Sequence, residues 1–331
     1  MKSGELRFNF FLNQLQELIL KAAKQKNPAL WLYQHNARTP LFMLEGLAKL
    51  YSGLHNKKRF SKLKEHLKLL EDTLGSIDYY DAFAKQFANN KNIPAVVVNY
   101  LKAQSREKIQ SLNEILLEKK WIGDDADRIK KIKKKLKSAD WLSATKEIKT
   151  IKDFYSKAIT EITTFANTDN FHFDNVEADV HELRRKLRWL SIYPQALKGC
   201  IQLSNTTKPV SKQLTKYLTK EIINSPFNKM PEPGDNVHFL LLNKNYFHSL
   251  SWMIAELGKL KDSGLAVIAI KEALQQTSAI TDTIAYTKAY QMLGDKQLKL
   301  PQILKNAEII CKTYFAEHNL EYLIKGIAAA K

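Results

Sequence analysis

Glycine and proline are scarce in this chain, with 11 and 9 among 331 residues, so long stretches run without the two strongest helix breakers. β-Branched residues never gather into evenly spaced alternating runs, which argues against an all-β fold. Cysteine is nearly absent: Cys200 and Cys311 stand far apart and neither has a CxxC neighbour. That excludes a disulfide framework or a cysteine-held zinc site, and both thiols read as reduced core residues of a cytosolic protein. No apolar run reaches the ~20 residues of a membrane-spanning helix. The opening segment from Phe8 to Leu20 is interrupted by Asn, Gln and Glu, unlike the apolar centre of a signal peptide. A cytoplasmic location is expected. HExxH, P-loop, GxSxG and paired-carboxylate motifs are missing too, so no catalytic role, metal or cofactor is expected.

Positive charge is what the chain has in excess. Lys and Arg number 52 against 34 Asp and Glu, a formal charge of +18. Such an excess opposes compaction and draws nucleic acid, anionic membranes or other polyanions. A plainer reading, in which lysines keep a helical protein soluble, stands beside it.

Apolar residues recur at helical spacing almost throughout, which predicts an all-α fold. A first helix is expected over Glu5 to Lys24. Asn27-Pro28 supplies an N-cap and first-turn proline for a second helix carrying Trp31, His35 and Arg38, with a kink or restart near Thr39 ahead of Pro40. A third helix from Arg59 to Leu74 has Leu63, Leu67, Leu70 and Leu74 as its stripe, and Gly75 marks a bend before Tyr79 to Phe87 continue. Further helices are expected from Pro94 to Lys119, over a lysine-dense segment capped by Asp124 and Asp125, and from Asp140 to Phe165. The polar stretch 167–175 reads as a linker between halves at 1–166 and 176–331. In the second half, helices are predicted over Val176 to Pro194, Ser211 to Ile223, Val237 to Lys259, Gly264 to Gln275, Ile280 to Leu293, and Leu300 to the C-terminus.

The sharpest local feature is Val180-His181-Glu182-Leu183-Arg184-Arg185-Lys186-Leu187-Arg188. His181, Arg184, Arg185 and Arg188 fall at i, i+3, i+4 and i+7, on one helical face, while Val180, Leu183, Leu187 and Leu190 form an apolar stripe offset from it. Like charges so spaced repel, and phosphate oxygens would relieve that repulsion because guanidinium groups grip them in bidentate fashion. Arginines paired with carboxylates of neighbouring helices are the structural alternative. His35-Asn36-Ala37-Arg38 repeats the His-to-Arg spacing, with Thr39 and Phe42 where the later helix has Arg185 and Arg188, and with Ala37, Leu41, Leu44 and Ala48 as its apolar face. Each His-Arg segment is followed by a Leu-Gly element and then aspartate: Leu74-Gly75 with Asp78 and Asp81, and Leu257-Gly258 with Asp262. Two occurrences in the same order suggest a duplicated helical unit.

On these motifs the chain resembles the CHAD family, the conserved-histidine α-helical domains. His181, Arg184 and Arg188 match the family's histidine helix in the second half, and His35 with Arg38 match its start in the first. Asp81 and the Lys261-Asp262 pair match the acidic ends of the two Leu-Gly elements. The resemblance implies two related antiparallel helical-bundle units with pseudo-two-fold symmetry around a basic groove or pore. It also implies non-catalytic binding of inorganic polyphosphate and association with polyphosphate granules.

Two other basic segments stand out. Arg128 to Lys137 is the densest charge run, with Ile129, Ile132 and Leu136 as a thin apolar stripe; it reads either as a solvated outer helix or as a sequence-blind attractor of anionic backbones. Lys57, Lys58, Arg59, Lys62, Lys64 and Lys68 form a second region, in which Lys58 and Lys62 lie one turn apart. His55, His66, His172, His238, His248 and His318 lack metal-ligand spacing and read as structural or exposed. The candidate polyphosphate-binding residues are thus His35, Arg38, Lys58, Lys62, His181, Arg184, Arg185 and Arg188. RNA or DNA binding is the rival reading, although no stacking motif or recognition module is present; an enzyme acting on phosphorylated substrates is a third, which would need a metal-binding acidic cluster that the sequence does not display.

Overall fold

Each helix exists because its apolar stripe finds a partner, and the scarcity of breakers lets several run long. The computed structural model describes residues 2–123, 127–204, 210–234, 236, 238–325 and 328–330. With 76% of the chain helical, the all-α expectation holds. The chain divides into two compact units, neither contiguous in sequence: Met1–Trp141 with Ala266–Gln297, and Leu142–Leu265 with Leu298–Lys331.

The first unit opens with α1 (Ser3–Ala22) and α2 (Pro28–Gln34). As expected, Asn27 caps α2, its side chain accepting from Leu30 N at 3.1 Å, with Pro28 in the first turn. The helix then stops sooner than predicted. Asn36 adopts a left-handed conformation at φ 54, a region that Asn tolerates better than most residues, and α3 (Arg38–Leu54) starts afresh. Pro40 sits in its first turn, where a missing N–H costs little. Next come α4 (Lys57–Ala88), α5 (Ala95–Glu118) and α6 (Arg128–Lys137). No bend at Gly75 divides α4, and Leu63, Leu67, Leu70 and Leu74 are all buried. Asp124 and Asp125, the expected caps of α6, lie outside the described residues; Asp127 takes the N-cap position and pairs with Lys131 at 2.9 Å.

An aromatic cluster of Phe8, Tyr51, Phe60 and Trp141, with centroids 5.3 to 5.9 Å apart, anchors one end of this unit. A Cβ on Gly4 would lie 2.5 Å from the Trp141 ring, so only glycine fits there. Trp141 Nε1 donates to Leu136 O at 3.0 Å, and Lys133 Nζ donates to Asn13 and Gln16 of α1 at 2.6 and 2.7 Å. With Ile129, Ile132 and Leu136 buried, these bonds fix α6 in place.

The second unit starts with α7 (Ala144–Asn167), whose Ile151, Tyr155 and Ile159 are buried and whose Tyr155 hydroxyl donates to Leu190 O. The segment expected to be a linker is packed instead: a 3₁₀ turn covers Thr168–Phe171, and Glu308 accepts from Phe173 N at 3.4 Å and lies 2.9 Å from His172 Nδ1. A π-helical turn, Val176–His181, leads into α8 (Glu182–Ala196), and Val180, Leu183, Leu187 and Leu190 are fully buried, as the apolar stripe requires. The strand β1 (Ile201–Ser204) follows Gly199, whose φ of 80 and close approach to Glu232 O admit no side chain. Two short helices, α9 (Lys212–Thr215) and α10 (Lys220–Ile223), replace the single helix predicted over Ser211 to Ile223.

Part of the helix expected from Val237 is a strand, β2 (Phe239–Asn243), parallel to β1 with Ile201 opposite Leu240; Val237 itself lies outside the described residues. Leu240 and Leu242 are buried and their neighbours are not, a period of two that the unbroken apolar run Phe239 to Leu242 hides at the sequence level. Then α11 (Lys244–Thr277) runs without a break through Gly258 and Gly264, followed by α12 (Asp282–Leu293), α13 (Leu300–Ala316), α14 (Asn319–Lys325) and β3 (Ala328–Ala330), which pairs antiparallel with β2. The chain therefore passes between the compact units at 141/142, at 265/266 inside α11 and at 297/298, and not at 167–175. Tyr80 and Tyr100 of α4 and α5 both donate to Glu272 Oε1, at 3.0 and 2.8 Å, which ties the end of α11 into the first unit.

Candidate anion-binding site

Helical spacing builds a cationic cleft in the first unit. On α4, Lys58, Lys62 and His66 stand at i, i+4 and i+8; on α6, Arg128, Lys131 and Lys135 stand at i, i+3 and i+7. The two stripes line one cleft of about 620 Å³, together with Asn56, Lys57, Arg59, Leu63, Ile132 and Leu136. Seven Lys or Arg side chains and one histidine thus surround it, and among the described residues no carboxylate and no Phe, Tyr or Trp ring lines it. Arg59 Nη1 donates to Lys135 O at 3.2 Å, closing one helix onto the other. Lys131 pairs with Asp127 at 2.9 Å. Among the described residues, Lys57, Lys58, Lys62 and Lys135 have no carboxylate within salt-bridge distance. The concentrated charge registers on His66, whose pKa is pushed below 6.5 by burial first and then by Arg128, Lys62 and Lys135, with Glu65 opposing.

The His-Arg residues behave differently. His35 stacks on Trp31 with ring centroids 3.8 Å apart, and its Nδ1 lies 2.8 Å from Trp31 O. Because the chain turns at Asn36, His35 and Arg38 do not share a helical face. Arg38 donates to Glu71 at 2.7 Å and Asp78 at 3.2 Å and lies over the Phe42 ring at 5.0 Å. A Cβ on Gly75 would come 2.8 Å from its Nη2. Asp81 accepts from the Tyr33 hydroxyl at 2.7 Å and pairs with Lys85 at 2.6 Å. Glu45, buried beside Glu71, has its pKa raised to about 7, by burial first and then by that neighbouring carboxylate, while Lys68 and Lys64 oppose.

In the second unit, Arg184 is largely buried, donates from Nε to Ile254 O at 3.1 Å, and lies where a Cβ on Gly258 would sit 3.0 Å from Nε. Burial lowers its pKa, and Asp262 counters this. Arg185 pairs with Glu182 at 2.5 Å, and His181 lies 2.8 Å from Glu177, whose carboxyl is held below its ordinary value mainly by that bond. Arg188 is half-buried.

Of the eight candidates, Lys58 and Lys62 therefore meet in one open site. They are joined there by α6 and by His66, neither of which was among the candidates. The signal that could have found His66 was its place on the Lys58–Lys62 stripe. Among the described residues no helix is long and apolar enough to cross a membrane, and no three His, Cys, Asp or Glu side chains converge as a metal site. No family model matches the chain, and no curated protein matches it significantly in sequence.

Proposed function

We propose that this protein binds a polyanion without turning it over, that inorganic polyphosphate is the ligand, and that the α4–α6 cleft is the principal site. The observation that carries this reading is a cleft with seven cationic side chains and no carboxylate among its described lining residues. Four of its lysines lack an acidic partner among the described residues, and an anion from outside would relieve their mutual repulsion. Lysines suit a chain of repeating phosphates because they act as mobile point charges that need no fixed geometry. With no carboxylate among the described lining residues to hold a metal or serve as base, binding is better supported than hydrolysis. With no Phe, Tyr or Trp among the described lining residues, and His66 the one ring there that could stack a base, polyphosphate is better supported than single-stranded nucleic acid.

The order of His-Arg and Leu-Gly elements supports the resemblance to the CHAD family in the same direction. Arg38 lies over Gly75 and Arg184 over Gly258, and this shared contact supports descent of the two His-Arg and Leu-Gly segments from one duplicated element. His181, Arg185 and Arg188 form a secondary surface, because His181 and Arg185 would have to exchange a carboxylate for phosphate. A cytoplasmic protein recruited to polyphosphate granules is the cellular setting this reading implies.

The test is a competition assay with labelled long-chain polyphosphate. Affinity should fall by roughly a hundredfold between about 50 and 200 mM salt, as phosphate contacts release counterions. Unlabelled polyphosphate should displace the probe at lower concentration than RNA of equal charge. Preferential displacement by RNA, or phosphate release with Mg²⁺ or Mn²⁺ present, would contradict the proposal.

A further inference from the structure

His66 is the one titratable group in the cleft whose charge changes near neutral pH. It is half-buried on the inner stripe of α4, one turn beyond Lys62 and next to Leu63. The charges that act on it are Lys62 and Glu65 of its own helix and Arg128 and Lys135 of α6, of which the three cations line the cleft with it. In the free protein these cations, together with burial, oppose its protonation. A polyanion in the cleft reverses the balance, since its charge outweighs the lysines it neutralises and favours the imidazolium. We propose that filling the α4–α6 cleft with polyphosphate is coupled to uptake of one proton by His66.

This inference rests on the proposed function and adds its regulation. Burial and the surrounding cations hold His66 toward its neutral form in the free site, and the bound ligand moves its titration upward. Affinity therefore rises as pH falls through the interval between the free and bound titrations, by at most about tenfold per pH unit for one proton. The lysines contribute nothing to this slope, because they stay protonated throughout.

Isothermal titration with long-chain polyphosphate, whose few chain ends add little protonation of their own, separates the two claims. Titrating near pH 7 in two buffers of different ionisation enthalpy gives the number of protons taken up. The expected result is a fractional uptake of up to about one proton, abolished in His66→Gln. His66→Lys, with its charge fixed, should bind at pH 8 more tightly than the native protein and show no pH dependence from pH 6 to 8. Binding with no uptake in the native protein, or equal uptake in His66→Gln, overturns the proton coupling while the proposed function stands. Absence of any binding overturns both.

Discussion

The α4–α6 cleft and the His181 helix look alike as sequence, each a cationic stripe on an amphipathic helix, yet they spend their charge differently. In the second unit Arg184 is taken by Ile254 O, Arg185 by Glu182 and His181 by Glu177. In the cleft, Lys57, Lys58, Lys62 and Lys135 face open space with no acidic partner among the described residues. The difference teaches that guanidinium groups, whose planar forks match fixed acceptors, are readily absorbed into architecture, while lysines remain available for a mobile anion.

The largest effect that would sharpen this contrast is on binding. Replacing Lys58, Lys62 and Lys135 together by Ala should lower polyphosphate affinity about a hundredfold at low salt, at about 1 kcal/mol for each lysine near an anionic surface. Arg185→Ala should change it less than about threefold. Equal losses from the two would erase the distinction between the regions. Next, Arg184→Ala should cost on the order of 2–3 kcal/mol of stability, since a largely buried hydrogen bond and its packing over Gly258 are lost. Denaturant midpoints measure this, and an unchanged midpoint would contradict an architectural role.

A slightly smaller effect concerns the acidic group around Arg38. Glu45 has a folded pKa of about 7 against an ordinary 4.5, so the folded state favours its neutral form. Stability from this group is fully present below about pH 4.5 and is lost as pH rises through about 7. Glu45→Gln should then stabilise the protein at pH 8 by roughly 2 kcal/mol and flatten that decline. A variant less stable than the native protein at pH 8 would contradict the burial argument.

Much of the helical fold was legible because apolar stripes at Leu63 to Leu74 and Val180 to Leu190 repeat with the helical period and are buried as that period requires. What escaped had a three-dimensional cause. Gly75 reads as a bend in one dimension, but in space it is the gap that admits the Arg38 guanidinium, and Gly258 does the same for Arg184. The turn at Asn36 separates His35 from Arg38 by a single left-handed residue, which spacing alone does not reveal. The cleft is half legible: Lys58 and Lys62 stand out in the sequence, whereas the place of α6 beside α4 depends on bonds between segments far apart in sequence, Lys133 to Asn13 of α1 and Arg59 of α4 to Lys135 O.

The most direct measurement is lysine footprinting by acetylation and mass spectrometry, with and without long-chain polyphosphate. Strong protection is expected at Lys57, Lys58, Lys62, Lys131 and Lys135, with little change at Lys157 and Lys259 in the second unit. Protection spread evenly over both units, or concentrated at Lys186 beside Arg185, would contradict the assignment of the cleft as the principal site.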